Sequence, residues 1–392
     1  MESGCWVMNY RENKINGDKL SVLGFGCMRF PKDESETERL ILHAIENGVN
    51  YFDTAYIYPN SEATLGRILS KHNKRKEIKI ATKIPPYFVK HYGDFDKIFN
   101  KQLERLQTDY IDYYFLHMLT DVSVWERLAG LGAEKWAEEK KAEGKIKNLG
   151  FSYHGGREEF VKICDLRRWD FCMIQYNYLD ENNLAGKHGL QYAAEKMPVF
   201  IMEPLRGGML ANNLPKDAAK AFQPTGKSPA EWGFRWLWDQ PEVTCVLSGM
   251  NSMAMLEENI RVAGAADAGE FTESDFAVVA KAKQALTETI KVPCTACGYC
   301  MPCPRGVDIP TCLFCYNTIA VESRMRALAN YFTQTSLKSK PQKASLCNGC
   351  GACEKKCPQK IEIRAELRNT AKALEKFYYR PVVAIAKRFM RL

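Results

Sequence analysis

Three things are missing from this chain of 392 residues. No uninterrupted apolar run is long enough to cross a bilayer, and the N-terminal MESGCWVMNYREN has no basic stretch leading into an apolar one. The expectation is a soluble protein made and kept in the cytoplasm. Charge of one sign is not gathered in any segment: the net charge is +8, but lysines and arginines alternate with acids along most of the chain. These read as solvated faces, and no nucleic-acid partner is expected. Finally, no G-x-G-x-x-G follows the first strand-like segment, where only Gly24-Phe25-Gly26 stands, so the usual phosphate signature of a doubly wound dinucleotide-binding sheet is lacking.

What is present between about Leu20 and Gly264 is a regular alternation. Eight β-branched or aromatic runs (LSVLGFGCM, NYFDTAY, IKIATKI, IDYYFLHML, IKNLGFSYH, FCMIQYNYL, PVFIMEPL and VTCVLSGM) are separated by amphipathic segments such as SETERLILHAIENG and DKIFNKQLERLQ. Eight strand-helix units in roughly 250 residues predict an α/β fold, a (β/α)8 barrel, over residues 1–267. Thr272 and Asp275 form a capping-box pattern that starts a connecting helix, within 268–292. A small, mostly helical domain is expected over 293–363, followed by a basic and aromatic tail, 364–392. Pro381 should break any helix in that tail. Aromatics mixed with Lys387, Arg388 and Arg391 suit an acidic membrane surface, but packing on the rest of the protein is the expected use.

Cysteine, by contrast, is abundant. Fifteen are present, ten of them between Cys294 and Cys357. A disulfide framework suits small secreted domains, so ligation of metal is the better account. Cys347, Cys350, Cys353 and Cys357, followed by Pro358, have the C-x2-C-x2-C-x3-C-P spacing in which three close thiolates hold one iron-sulfur cluster and the fourth reaches the other. Cys294, Cys297, Cys300 and Cys303, followed by Pro304, repeat it with one residue fewer before the last cysteine. Structural zinc is the competing reading, but repeated triplets each trailed by Cys-Pro favour two 4Fe-4S clusters. With crossed ligands, Cys294, Cys297, Cys300 and Cys357 would bind one cluster, and Cys347, Cys350, Cys353 and Cys303 the other. The segment TCLFCYNTIAVESRMRALANYF between the runs has a helical pattern, and Cys312 and Cys315, surplus to eight ligands, are expected to pack on that helix.

Chemistry in a barrel lies at the C-terminal strand ends. Asp53, Tyr58, Lys83 and His117 fall at or just after three successive strand ends. Any one of them alone is more often structural. Together they make an acid-base set: an ammonium stabilises a phenolate and lowers the pKa of the phenol, a carboxylate holds the ammonium, and an imidazole orients a carbonyl oxygen. This spacing resembles the catalytic tetrad of the aldo-keto reductases, and the whole chain resembles the subgroup that carries a C-terminal ferredoxin-like domain. The resemblance implies Tyr58 as general acid/base, tuned by Lys83 and Asp53, with His117 orienting the substrate. It implies NAD(P)H held at the carboxamide by Ser152 and Gln175, near the phosphates by Leu205, Arg206 and Gly207, and after strand eight by Gly249, Glu258 and Asn259. Tyr153, Met202 and Met255 stand where the family usually has asparagine, an aromatic and arginine, which keeps FMN open as the alternative cofactor.

A hydride carries two electrons, whereas a 4Fe-4S cluster passes one at a time. The two halves therefore need a reconciling element: a flavin, a substrate reduced through radicals, or clusters that serve structure or regulation. The expected activity is reduction of a small carbonyl or oxidation of an alcohol, with a redox partner such as ferredoxin or flavodoxin. The alternative is an electron-transfer or regulatory subunit whose barrel binds without turnover.

Overall fold

Eight strands rich in apolar residues on both faces must be covered on both sides, and closing the sheet on itself within a ring of helices achieves this without leaving an edge. The computed structural model, which describes residues 7–390 apart from 213, 295–297, 299, 358 and 359, has that form. A short antiparallel hairpin, β1 (Tyr10–Glu12) and β2 (Lys19–Ser21), precedes β3 (Leu23–Gly26), β4 (Tyr51–Asp53), β5 (Lys79–Ile84), β6 (Ile111–Leu119), β7 (Ile146–Tyr153), β8 (Phe171–Gln175), β9 (Val199–Met202) and β10 (Val243–Ser248). Strands β3 to β10 are parallel and close in chain order, with β10 returning to β3 through Val246 opposite Leu23. All eight coincide with the segments read from the sequence. The hairpin was not foreseen. It sits at the N-terminal end of the barrel, where Asn13 Nδ2 donates to Tyr113 Oη at 3.1 Å and that hydroxyl donates to Asp18 at 2.8 Å.

The barrel interior is filled by aromatic rings. Tyr51, Tyr113, Phe115, Phe171 and Phe200 are fully buried there, with centroids 4.6–5.6 Å apart. Small residues on alternating strands make room for them: a Cβ at Gly150 would stand 2.3 Å from Phe171 O and 2.8 Å from its ring. The rings therefore plug the lower barrel and leave polar side chains to the upper rim. The helix Glu273–Glu288 begins with the expected capping box at Thr272 and Asp275, and it buries Val279, Ala282 and Leu286 in the core shared with the barrel.

The C-terminal part has its own core, built from Val307, Ile309, Leu313, Tyr331, Leu367, Leu374 and Tyr379, with Cys312 and Cys315 fully buried among them. Two local expectations differ from the structure. The helical pattern after Cys312 is not continuous but splits into Ile309–Val321 and Arg324–Tyr331, because Ser323 leaves helical geometry and its hydroxyl accepts from Arg326 N at 3.2 Å as an N-cap. Nor does Pro381 break the last helix, Tyr379–Met390. It lies in the first turn, where a missing N–H would have had no partner in the helix anyway. No helix among the described residues is long and apolar enough to cross a membrane.

Packing between the helices Ser61–Lys71 and Tyr92–Leu106 turns on Gly66, where a Cβ would stand 2.4 Å from Arg105 O and 2.5 Å from Leu106 C. In an open helix, Gly→Ala stabilises by about 0.5–1 kcal/mol. Here the added methyl meets backbone, so Gly66→Ala is expected to destabilise by about 1–3 kcal/mol. A urea midpoint equal to or above that of the unmutated protein would contradict this packing.

Candidate active site and iron-sulfur site

The upper rim gathers four side chains. Asp53 ends β4, Lys83 is the penultimate residue of β5, His117 lies near the end of β6, and Tyr58 follows β4 in the loop before the helix Ser61–Lys71. At His117 the pairing of β6 with β7 is interrupted, its register shifting between Leu116 and Leu119, with Met118 at φ +55°. Such an irregularity re-aims a side chain at a strand end. The Lys83 ammonium, 1% exposed, pairs with the Asp53 carboxylate and donates to Thr54 O at 2.7 Å. It also lies 5.2 Å from the centroid of the Tyr58 ring. The His117 ring meets Tyr58 edge-on, with centroids 6.1 Å apart.

Electrostatics assign a protonation state to each. Burial alone would lower the pKa of Lys83, but Asp53 and Tyr58 outweigh it and raise it, so the group is an ammonium. Burial raises the pKa of Tyr58 more than Lys83 lowers it, and the ring is a neutral phenol. The expectation is that the ammonium brings the phenol below its ordinary value; in the structure burial outweighs it and the phenol lies above that value. Burial, Lys83 and His154 hold His117 well below the ordinary imidazole range, so it is neutral. Its Nδ1 is buried with no hydrogen-bond partner among the described residues. A buried network underlies the set: Glu62 accepts from Thr82 Oγ1 at 2.6 Å, Gln102 Nε2 at 2.9 Å and Arg105 Nη1 at 3.0 Å.

The other sequence-predicted residues scatter over the same face. Ser152 Oγ accepts from Met118 N at 2.9 Å, and Gln175 Nε2 donates to Asp180 at 3.3 Å. Asn259 Nδ2 donates to Ser248 Oγ at 3.0 Å, beside exposed Gly249 and half-buried Glu258. Leu205 and Gly207 lie in the turn after β9. Arg206 does not offer its charge to that turn. It is buried, with Nε 3.1 Å from Asp180 and 3.2 Å from Glu322 of the C-terminal domain, and its guanidinium lies over Phe314 at 4.9 Å. Tyr153 points outward into the helix layer, its hydroxyl donating to Gly156 O at 2.5 Å. Glu203, Arg29 and Arg326 were not singled out in the sequence. Two lie close to its motifs, but only the docking of the C-terminal domain brings all three together.

Of the eight cluster cysteines, Cys297 lies outside the described residues. Cys300, Cys303, Cys347, Cys350 and Cys353 line one cavity. Gly349 and Gly351, at φ +79° and +75°, turn the intervening backbone so that successive thiols face the same space. Cys294 and Cys357 are half-buried against the same domain core. Thiols of both cysteine runs therefore face one cavity, a donor set whose chemistry suits iron-sulfur ligation.

Comparison with known proteins agrees with both halves. Residues 22–283 match the aldo/keto reductase family model and residues 293–362 a 4Fe-4S dicluster domain. The chain is 28% identical over 303 residues to the uncharacterized oxidoreductase YqkF of Bacillus subtilis, covering 68% of this chain and 94% of that one. It is 28% identical over 325 residues to the aldo-keto reductase str7 of Strobilurus tenacellus, covering 71% and 93%. Among solved structures, the holo form of the aldo-keto reductase AKR11C1 from Bacillus halodurans superposes with a TM-score of 0.59 at 25% identity, over 70% of this chain and 96% of that one. This chain belongs to the aldo/keto reductase family. It is an oxidoreductase whose (β/α)8 barrel is joined to a helical 4Fe-4S dicluster domain.

A neutral buried His117 has a stability consequence. Unfolded histidine takes up a proton below about pH 6.5, whereas folded His117 does not, so its contribution to stability falls as the pH drops below that value. His117→Gln should therefore lose less stability than the parent between pH 7 and pH 5 in denaturant titrations. Parallel losses in the two proteins would contradict the assignment.

Proposed function

We propose that the protein reduces a small carbonyl compound, or runs the reverse oxidation, at the Tyr58 site with NAD(P)H as hydride donor. The observation that carries this reading is the convergence of a neutral phenol, a buried ammonium-carboxylate pair and a neutral imidazole at one end of the barrel. A nicotinamide held at its carboxamide by Ser152 and Gln175 would supply a hydride from the side of the mouth formed by β7 and β8. Tyr58, protonated at neutral pH, delivers its proton to the carbonyl oxygen as negative charge develops there. Lys83, kept charged by Asp53, stabilises the phenolate that remains. The neutral His117 orients the carbonyl by donating its one N–H, a role that an imidazole needing no extra proton can fill across the physiological range.

The two 4Fe-4S clusters would supply single electrons, one held by Cys303, Cys347, Cys350 and Cys353 and the other by Cys294, Cys297, Cys300 and Cys357. Their place in the fold supports exchange with the barrel rather than an independent appendage. Cys303, besides lining the cavity between the cysteine runs, also lines a cleft together with barrel residues 156–159, at the start of the helix Arg157–Asp165, and 182–184. A ferredoxin- or flavodoxin-like carrier would be the external partner.

Tyr58→Phe is expected to lower kcat by about 10²–10⁴-fold while leaving the cluster absorbance and the affinity for NADPH unchanged. Retention of full turnover would remove Tyr58 from the chemistry. Anaerobically purified protein should contain about eight iron and eight acid-labile sulfide per chain, and Cys350→Ala should lose roughly half of each. Stoichiometric zinc without sulfide would overturn the cluster assignment. Flavin released from the same preparation would overturn the nicotinamide reading.

A further inference from the structure

The turn after β9 carries an arrangement that neither domain makes alone. Gly207 and Gly208 adopt φ of +68° and +97°, and a Cβ placed on Gly207 would stand 3.5 Å from Arg29 Nη2, 3.6 Å from Arg29 Nη1 and 3.8 Å from Arg326 Nη2. Two guanidinium groups therefore converge on one bare stretch of backbone. Arg29 ends the turn Cys27–Arg29 that follows β3, and Arg326 comes from the helix Arg324–Tyr331 of the dicluster domain. Arg29 is exposed and makes no hydrogen bond or ion pair among the described residues. Arg326 has counterions: its Nη2 is 2.7 Å from Glu203 Oε2 and its Nε is 3.7 Å from Glu322 Oε2. Arg206, the third cation nearby, is already taken up by Asp180 and Glu322. At Gly207, then, Arg326 is held by Glu203 and Glu322 while Arg29 has no carboxylate partner among the described residues, and Gly208 looks into open space, with nothing within 4 Å of where its Cβ would be.

Like charges are brought together at the cost of mutual repulsion, and planar guanidinium groups over exposed backbone match the oxygens of a phosphate. We propose that Arg29 and Arg326 form a phosphate clamp over Gly207 and Gly208, so that the dicluster domain supplies part of the binding site for the ligand in the barrel mouth. Identifying that phosphate with the pyrophosphate of a dinucleotide rests on the nicotinamide reading above. Glu203 then acts as an internal anion that holds Arg326 until a phosphate displaces it. Because the helix bearing Arg326 belongs to the domain that carries the clusters, occupation of the barrel mouth and the seating of the clusters on it are tied through one side chain.

The test is calorimetric titration of anaerobically purified full-length protein with inorganic pyrophosphate, NADPH and reduced nicotinamide riboside, at constant ionic strength. Arg29→Ala and Arg326→Ala should each weaken pyrophosphate and NADPH by about tenfold to a hundredfold, leaving the riboside and the cluster absorbance unchanged. Arg326→Lys should keep part of the affinity. Glu203→Gln, which removes the competing carboxylate, should tighten pyrophosphate. A merely structural Glu203–Arg326 contact would give no such gain. Failure of the parent protein to bind pyrophosphate, or unchanged pyrophosphate affinity in both alanine variants, would overturn the clamp. Pyrophosphate binding that follows the arginines, with no binding of NADPH, would uphold the clamp and overturn the dinucleotide reading instead.

Discussion

The buried pair of Lys83 and Asp53 is the constraint on which the rest of the site depends. An ammonium removed from water without a partner would give up its proton. Asp53 and the carbonyl of Thr54 make the charged form tenable, and the lysine in turn sets the electrostatics of Tyr58 and His117. The pair can form only because β4 and β5 are neighbours in a closed parallel barrel, with Asp53 opposite Ala81 and Lys83 two residues further along. The aromatic plug beneath them matters for the same reason. It fills the lower barrel and confines polar side chains to the rim, where they can meet a substrate.

A second network, of opposite character, joins the two domains. Arg206, Asp180, Glu322, Arg326 and Glu203 link the ends of β8 and β9 to the helices on either side of Ser323. Buried ion pairs add little net stability, because desolvation offsets most of the attraction, but they penalise any arrangement that leaves one partner alone. Their use here is to specify how the dicluster domain sits. The break in the helix at Ser323 serves this seating, since it lets Glu322 and Arg326 approach the rim from two directions. The dicluster domain is thereby seated on the same face of the barrel as the rim that carries Asp53, Tyr58, Lys83 and His117.

Much of this was legible in the residues. The eight strand segments, the capping box at Thr272, the strand-end positions of Asp53, Tyr58, Lys83 and His117, and the repeated cysteine spacing are local signals: periodicity, punctuation and interval. Where such reasoning fell short, a tertiary effect had intervened. Arg206 looked like a phosphate ligand from its place beside Gly207, yet two carboxylates distant in sequence claim it. Tyr58 looked like a phenol lowered by an ammonium, yet burial raises it. Pro381 looked like a helix breaker, yet its position in the first turn makes it harmless.

The sequence by itself determined the class of fold, the strand-end positions of the polar rim residues and the presence of a repeated cysteine motif, because each depends on intervals of a few residues or on counting repeats. Only the tertiary structure decided which charges face one another. The convergence of Arg29 and Arg326 on Gly207, and the burial that governs Tyr58 and His117, arise from elements far apart in the chain. Electrostatic energies depend on distance in space and on access to water, and neither is written in the spacing of residues along the chain.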